Sequence, residues 1–437
     1  LPSGGGGGTE NEDALVMRTI SEYYNDRVSV VGDYAFYYYL NLTSIDLPNC
    51  ISIGTYAFTS CENLASVNIP NCSYVGSRAF GWCWKLTSID LPNCLYVSNS
   101  AFYSCRVLSS VSLPICSYVG EEAFASCSSL TSIDLPLCTS LDRRVFGYCG
   151  GLISLSLPNC SYVGDGAITA CTSLTSINLP LCTSIGTWVL ASCYKLVSVN
   201  IPNCSSTNEY LFANCYALSS VSLPNCTYVS SNTFTNCSAL SSIDLPLCSY
   251  IGGGTFYSCW ALTFVSLPNC TYVDYSAFTY CSSLTSIDLP NCSSTGKGAF
   301  YSCRVLSSVN LPNCTYVSSN TFTNCSVLPS ISLPNCSFVG YAAFVSCWAL
   351  TLIKLPICEH IENWTFNYCS SLSQVYLNSV KSVTTISANT FSNNPNLTSV
   401  YVPASLVDAF KTAQYWSSMS NKIVAYTEPQ ISTGDML

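Results

Sequence analysis

Thirty cysteines give this 437-residue chain its widest chemical options, because thiols ligate metals, pair as disulfides or act as nucleophiles. Their spacing limits all three. One series of fifteen runs from Cys50 to Cys358 and a second of fifteen from Cys61 to Cys369, each stepping by 22 residues. No Cys-x-x-Cys pair occurs and His360 is the only histidine, so tetrahedral zinc is poorly supported. If each step is one coil of a stack, successive cysteines of a series stand roughly 4.8 Å apart, inside the range a disulfide tolerates. Their side chains point the same way, however, and an odd number leaves at least one thiol of each series unpaired. Pairing between the two series would require them to meet through the aliphatic residues that separate them. The favoured reading is a ladder of small buried hydrophobes that begins Cys50, Cys61, Cys72, Cys83, Cys94, Cys105. Disulfides, if formed, would instead mark maturation in an oxidising compartment.

Serine and aspartate are plentiful but fall into uniform rows, which supply no unique nucleophile with its base and orienting group. One row runs Ser44, Ser66, Ser88, Ser110 and onward, interrupted by Phe264 and Leu352; the other includes Asp46, Asn68, Asp90, Ser112 and Asp134 and closes with Lys354 and Tyr376. Aspartates never occupy neighbouring steps, and carboxylates two steps apart are separated by roughly 9.6 Å, too far to share a calcium ion. His360 is expected at the surface, in a row otherwise held mostly by tyrosine. No catalytic residue, metal or cofactor is therefore expected.

The elements that hold these residues follow from the period. Leu-Pro or Ile-Pro recurs every 22 residues from 47–48 to 355–356. A typical unit starts Leu86-Thr-Ser-Ile89-Asp-Leu91, which alternates apolar and polar as a short strand does, with Ile89 and Leu91 inward and Ser88 and Asp90 outward. Pro92 ends that strand, and Ala101-Phe102 brings a second apolar group inward on a short helical or 3₁₀ turn. One unit has too little apolar surface to fold alone, so stacked coils must build a continuous core with their strands in a parallel sheet. Leu218 to Leu245 and Leu306 to Leu333 are near-copies offset by 88 residues, which suggests growth by duplication of whole coils.

Four segments result: a Gly-rich, acidic lead-in over 1–27, a solenoid of about 17 coils over 28–403, a C-terminal cap with a short helix over 404–427, and a tail over 428–437. Gly4 to Gly8 have the composition of a flexible linker, suited to attaching the chain to a larger assembly. The chain opens at Leu1 without Met, which leaves room for a signal or a larger region upstream. Charged residues are only 8% and the net charge is −9, which argues against a nucleic-acid footprint. No apolar run approaches the roughly 18 residues of a membrane span.

Variation concentrates at the position after the second cysteine. It holds Trp84, Arg106, Tyr194, Tyr216, Trp260, Arg304 and Trp348 among smaller residues, and Trp, Tyr and Arg are the types that dominate binding hot spots. This is the candidate binding row. A secondary row beside the first cysteine holds Tyr74, Tyr96, Tyr118, Tyr162, Tyr228, Tyr250, Tyr272 and Tyr316; its regularity suits packing along the coil edge.

The pattern Leu-x-x-Ile-x-Leu-Pro followed by Ile/Val-Gly-x-x-Ala-Phe-x-x-Cys resembles the BspA-like (Treponema pallidum-type) leucine-rich repeats of bacterial surface proteins, over roughly residues 28–416. The stretch from Tyr401 to Lys411 is similar to that family's closing segment, whereas Cys after Leu-Pro-Asn stands where many relatives carry an aliphatic residue. The resemblance implies a leucine-rich-repeat solenoid, α/β or mainly β: a curved right-handed coil with a parallel β-sheet on its concave face and short helical or 3₁₀ turns on the other. It also implies a non-catalytic, extracellular or cell-surface adhesion protein whose partner is a protein or glycan on a host or bacterial surface. Similar Gly-linked repeat chains occur in phage and prophage tails, so a virion-associated receptor-binding component is an alternative, and a passive structural spacer is another.

Overall fold

The structure, a computed structural model, describes residues 27–427, so the Gly-rich stretch and the tail lie outside the described residues. Each coil has three sides. The first is a three-residue strand such as Ser88–Asp90, in which Ile89 is buried between two exposed neighbours. It pairs in parallel with the next coil, Ser88 opposite Ser110, Ile89 opposite Val111 and Asp90 opposite Ser112. Pro92 follows and cannot extend the ladder, having no N–H to donate. Asn93 then reaches back one coil, its Nδ2 donating to the Pro70 carbonyl at 3.0 Å. Asn71, Asn203, Asn291 and Asn335 repeat that bond, which gives the Leu-Pro-Asn motif its third letter.

The second side is a two-residue strand, Tyr96–Val97, set in parallel between Tyr74–Val75 and Tyr118–Val119. Where Gly follows this strand, adjacent backbones nearly touch: a Cβ on Gly76 would stand 2.6 Å from the carbonyl carbon of Gly54. The motif's glycine therefore marks a close approach of two coils.

The third side differs from the expected helical or 3₁₀ turn. It is a run of single turns in which alternate N–H groups serve different partners. Tyr56, Phe58 and Ser60 donate to Ser77, Ala79 and Gly81 of the next coil, while Ala57, Thr59 and Cys61 donate back to Gly54, Tyr56 and Phe58 of their own. Tyr56 and Ser60 have φ of 56° and 57°, and the same two left-handed positions recur through the stack. Two left-handed residues four positions apart in each coil break any helix but free N–H groups to bind the neighbouring coil.

The chain divides into two compact units, one ending at Asp244 and the other starting at Leu245. In the first, short strands from Val30–Val31 to Ser184–Ile185 form an eight-stranded parallel sheet. Phe36, Phe58, Phe80, Phe102 and Phe124 stack beneath the turns with ring centroids 5.1 to 5.4 Å apart. Ile168 and Leu190 take the aromatic position in two later coils and are equally buried. In the second unit, the short strands pair in the same parallel sense from Tyr250–Ile251 to His360–Ile361. Its phenylalanine stack runs from Phe256 to Phe391. Each buried Phe, Leu, Ile or Val side chain contributes roughly 1.5–3 kcal/mol, so a core shared between coils offsets backbone ordering that one coil alone does not.

At the C-terminal end a helix, Val407–Thr412, buries Phe410. Trp416 packs 5.2 Å from Phe410 and 5.7 Å from Phe391, and its Nε1 donates to the Thr384 carbonyl at 2.7 Å. An unforeseen strand, Ile423–Ala425, then pairs in parallel with Ser399–Val402. Among the described residues no helix is long and apolar enough to cross a membrane.

Candidate binding surface

All thirty cysteines are buried, with no disulfide among them. First-series thiols donate to a carbonyl two residues ahead, as Cys72 does to Tyr74 at 3.2 Å. Second-series thiols donate across to the preceding coil, as Cys83 does to the Phe58 carbonyl at 3.3 Å. Burial is the main cause that pushes the Cys105 and Cys303 thiols up to about 12, against a slight lowering by a backbone hydrogen bond. A thiol held protonated and out of solvent is a poor nucleophile and a poor metal ligand. Among the described residues, no three His, Cys, Asp or Glu side chains are grouped to hold a metal ion.

Trp84, Arg106 and their equivalents occupy the turn that links the third side to the next strand. Trp84, Trp260 and Trp348 are 40%, 58% and 57% exposed. The structure brings some of the row together: the Arg106 guanidinium lies 5.9 Å over the Trp84 ring, and Tyr194 and Tyr216 stack at 5.4 Å. It spaces others apart. Trp260, Arg304 and Trp348 alternate with Ser282 and Ser326, whose hydroxyls donate to the Trp260 and Arg304 carbonyls at 3.5 and 3.0 Å. Each short serine folds onto the backbone and leaves the bulky neighbour standing clear.

The tyrosine row lies on the second side and stacks on itself, Tyr74 on Tyr96 at 5.6 Å and Tyr96 on Tyr118 at 4.3 Å. Tyr250 and Tyr272 stack at 5.7 Å, and Tyr316 packs on Phe338 at 4.7 Å. Tyr162 and Tyr228 are exposed in the same row. Tyr118 Oη donates to Asp142 Oδ2 at 2.6 Å, a bond that raises its phenol above the ordinary range. Rings already engaged by neighbours have less face to offer a ligand.

A row on the third side escaped the sequence reading. Its first left-handed position carries Tyr34, Tyr56, Arg78, Glu122, Arg144, Trp188 and Tyr210. Arg78 Nη1 donates to Tyr56 Oη at 3.1 Å, the Trp188 and Tyr210 rings stack at 4.0 Å, and Trp188 is 47% exposed. Arg144 pairs with Glu122 at 3.8 Å beside the Arg143–Glu121 pair at 2.8 Å, surface contacts that contribute little to stability. A shallow cleft of about 320 Å3 opens among Arg143, Arg144, Tyr148, Asp165 and Trp188. The signal was available: the residue two before each core Phe varies at the 22-residue period inside an otherwise fixed frame.

A family model described as the BspA type leucine rich repeat region matches in six copies, over residues 29–153, 96–219, 139–249, 205–327, 249–372 and 293–421. No curated protein matches the chain. Among solved structures it is similar to a leucine-rich repeat protein from Bacteroides ovatus, at 22% identity over 92% of this chain and 88% of that one, TM-score 0.39. It is also similar to the leucine-rich repeat protein of Treponema pallidum, at 27% identity over 35% and 78%, TM-score 0.34. A leucine rich cell surface protein from Faecalibacterium prausnitzii shares 21% identity over 85% and 87%, TM-score 0.34. With the repeat matched from residue 29 to residue 421, the chain belongs to the BspA-type leucine-rich repeat family.

Proposed function

We propose that the chain is a non-catalytic binding and adhesion protein, extracellular or displayed on a bacterial surface, that engages a protein or glycan of a host or of another bacterium. Leucine-rich repeats of this family are generally protein-binding modules, which is in keeping with this reading. The observation that carries it is the contrast between a scaffold that repeats at nearly every buried position and an exposed row that does not. Trp84, Arg106, Tyr194, Tyr216, Trp260, Arg304 and Trp348 stand exposed outside the shared core, and Trp, Tyr and Arg are the residue types whose truncation costs an interface most binding free energy.

Joint replacement of Trp84, Trp260 and Trp348 by alanine tests this. Capture of the chain on arrays of host-matrix proteins and surface glycans should weaken at least tenfold, with the thermal transition shifted by no more than a degree or two. An unchanged capture pattern would move binding off this row, and a chain that captures nothing on either array would favour the passive spacer.

A further inference from the structure

Earlier in the second unit the outward strand positions are mostly polar, as in Ser286 with Asp288, Ser308 with Asn310 and Ser330 with Ser332. In the last coils of the second unit this changes. Lys354, Tyr376 and Tyr401 occupy consecutive register positions in the row where Asp288 and Asn310 stand earlier. Tyr426 closes the far side, held in place by its N–H donating to the Val402 carbonyl at 2.8 Å. Together with Ser332 and Asn378 these residues line a cleft of about 460 Å3.

The side chains in this cleft are preset. Tyr376 and Tyr401 stack at 4.5 Å, Tyr426 meets Tyr376 edge-on at 6.2 Å, and Lys354 Nζ lies 5.9 Å from the Tyr376 ring centroid. Among the described residues the cleft has no carboxylate in its lining and Lys354 forms no ion pair. A cation with no carboxylate beside it among the described residues, in a chain of net charge −9, is a local reversal of sign. The stacked rings fix the positions of their phenol groups, and the phenol, amide and hydroxyl groups at the rim can bond the hydroxyls of a sugar. The volume lies in the range of roughly 300–1,000 Å3 for small-ligand sites, which suits a few sugar rings.

We propose that this cleft is a binding site for an oligosaccharide bearing a carboxylated sugar, with the phenol groups of Tyr376, Tyr401 and Tyr426 bonding its hydroxyls and Lys354 as the partner of the carboxylate. The cleft is lined by residues of the strands and of the segments that follow them, none of them in the Trp, Tyr and Arg row, and does not depend on that row having a ligand.

The test titrates the full chain with 3′-sialyllactose, with a glucuronate-containing tetrasaccharide and with lactose, read by saturation-transfer NMR and tyrosine fluorescence. At least one acidic probe should bind ten times more tightly than lactose. Lys354→Ala should abolish that preference with the thermal transition unchanged, and Tyr376→Ala should lose the acidic probe. Failure of both acidic probes to bind, equal affinity for lactose, or a Lys354→Ala chain that keeps its preference would each overturn the proposal. Because the carboxylate preference is read at Lys354, outside the Trp, Tyr and Arg row, the two readings fail separately.

Discussion

The thiol of Cys105 donates to the carbonyl oxygen of Phe80 at 3.0 Å, and the same oxygen accepts the N–H of Cys83 at 3.3 Å. One carbonyl thus ties a turn to itself and to the coil that follows. The arrangement recurs at Cys127 on Phe102 and Cys325 on Phe300. Cysteine suits it because the side chain is small and apolar yet carries one weak donor, which alanine lacks and which serine supplies only with a more strongly hydrated group.

Alkali should unfold the protein sharply. A thiol that titrates near 9.0 when unconstrained and at about 12 when buried stays protonated in the fold between those values while the unfolded chain loses its proton. The unfolded state then binds fewer protons, so stability is intact below about pH 8.5 and falls as pH rises, by up to about 1.4 kcal/mol per unit for each such thiol. Circular dichroism should show cooperative loss of structure by about pH 10 to 11. A fold that persists unchanged to pH 12 would contradict the burial of the cysteines.

Ala170→Gly should stabilise the chain. Ala170 sits at φ 56°. A non-glycine residue there costs roughly 1–2 kcal/mol, and glycine returns about 0.5–1 kcal/mol of that as added freedom in the unfolded chain. A net gain of about 0.5–1 kcal/mol should appear as a raised denaturation midpoint, and a lowered one would mean that the Ala170 methyl packs better than its exposure indicates.

Two threonines form a pair inside the second unit. Thr295 replaces the usual Val or Ile and Thr321 the usual Ala, and their Oγ1 atoms meet at 3.3 Å in a buried setting. Thr321→Ala should cost about 1–3 kcal/mol because the Thr295 hydroxyl loses its partner. Adding Thr295→Val should recover most of the loss. Additive costs in the double variant would show the two hydroxyls to be uncoupled.

The asparagine ladder can be extended. Asn291→Ala removes a 2.8 Å bond to the Pro268 carbonyl and should cost about 0.5–1 kcal/mol at this exposed site. Leu181 occupies the asparagine position of its own coil and is exposed. Leu181→Asn should gain a similar amount by bonding the Pro158 carbonyl. Denaturant midpoints measure both, and opposite signs are required.

How much the sequence revealed depends on what each residue broadcasts. Ile89, Leu91 and Phe102 were legible because burial demands an apolar type at a fixed period, and the parallel register follows once the period is known. The role of Asn93 was not, since the carbonyl it serves lies in another coil. The left-handed positions were hidden for a different reason. Glycine, the usual marker, appears there only at Gly166, Gly254 and Gly298, while Trp188, Arg78 and Tyr56 hold the same conformation because neighbouring coils impose it. That concealment also hid the variable row on the third side. The Ile423–Ala425 strand lies beyond the last repeat, with no period to announce it.

The hydrogen bonds between coils have a consequence for the length of the protein. Donor and acceptor on the first two sides stand 22 places apart or close to it, and every junction presents nearly the same set of partners. Excising 22 residues within one unit therefore rejoins surfaces that already fit, whereas excising 11 would set a strand against a turn. Size is quantised: such a chain can be shortened or extended only by integers.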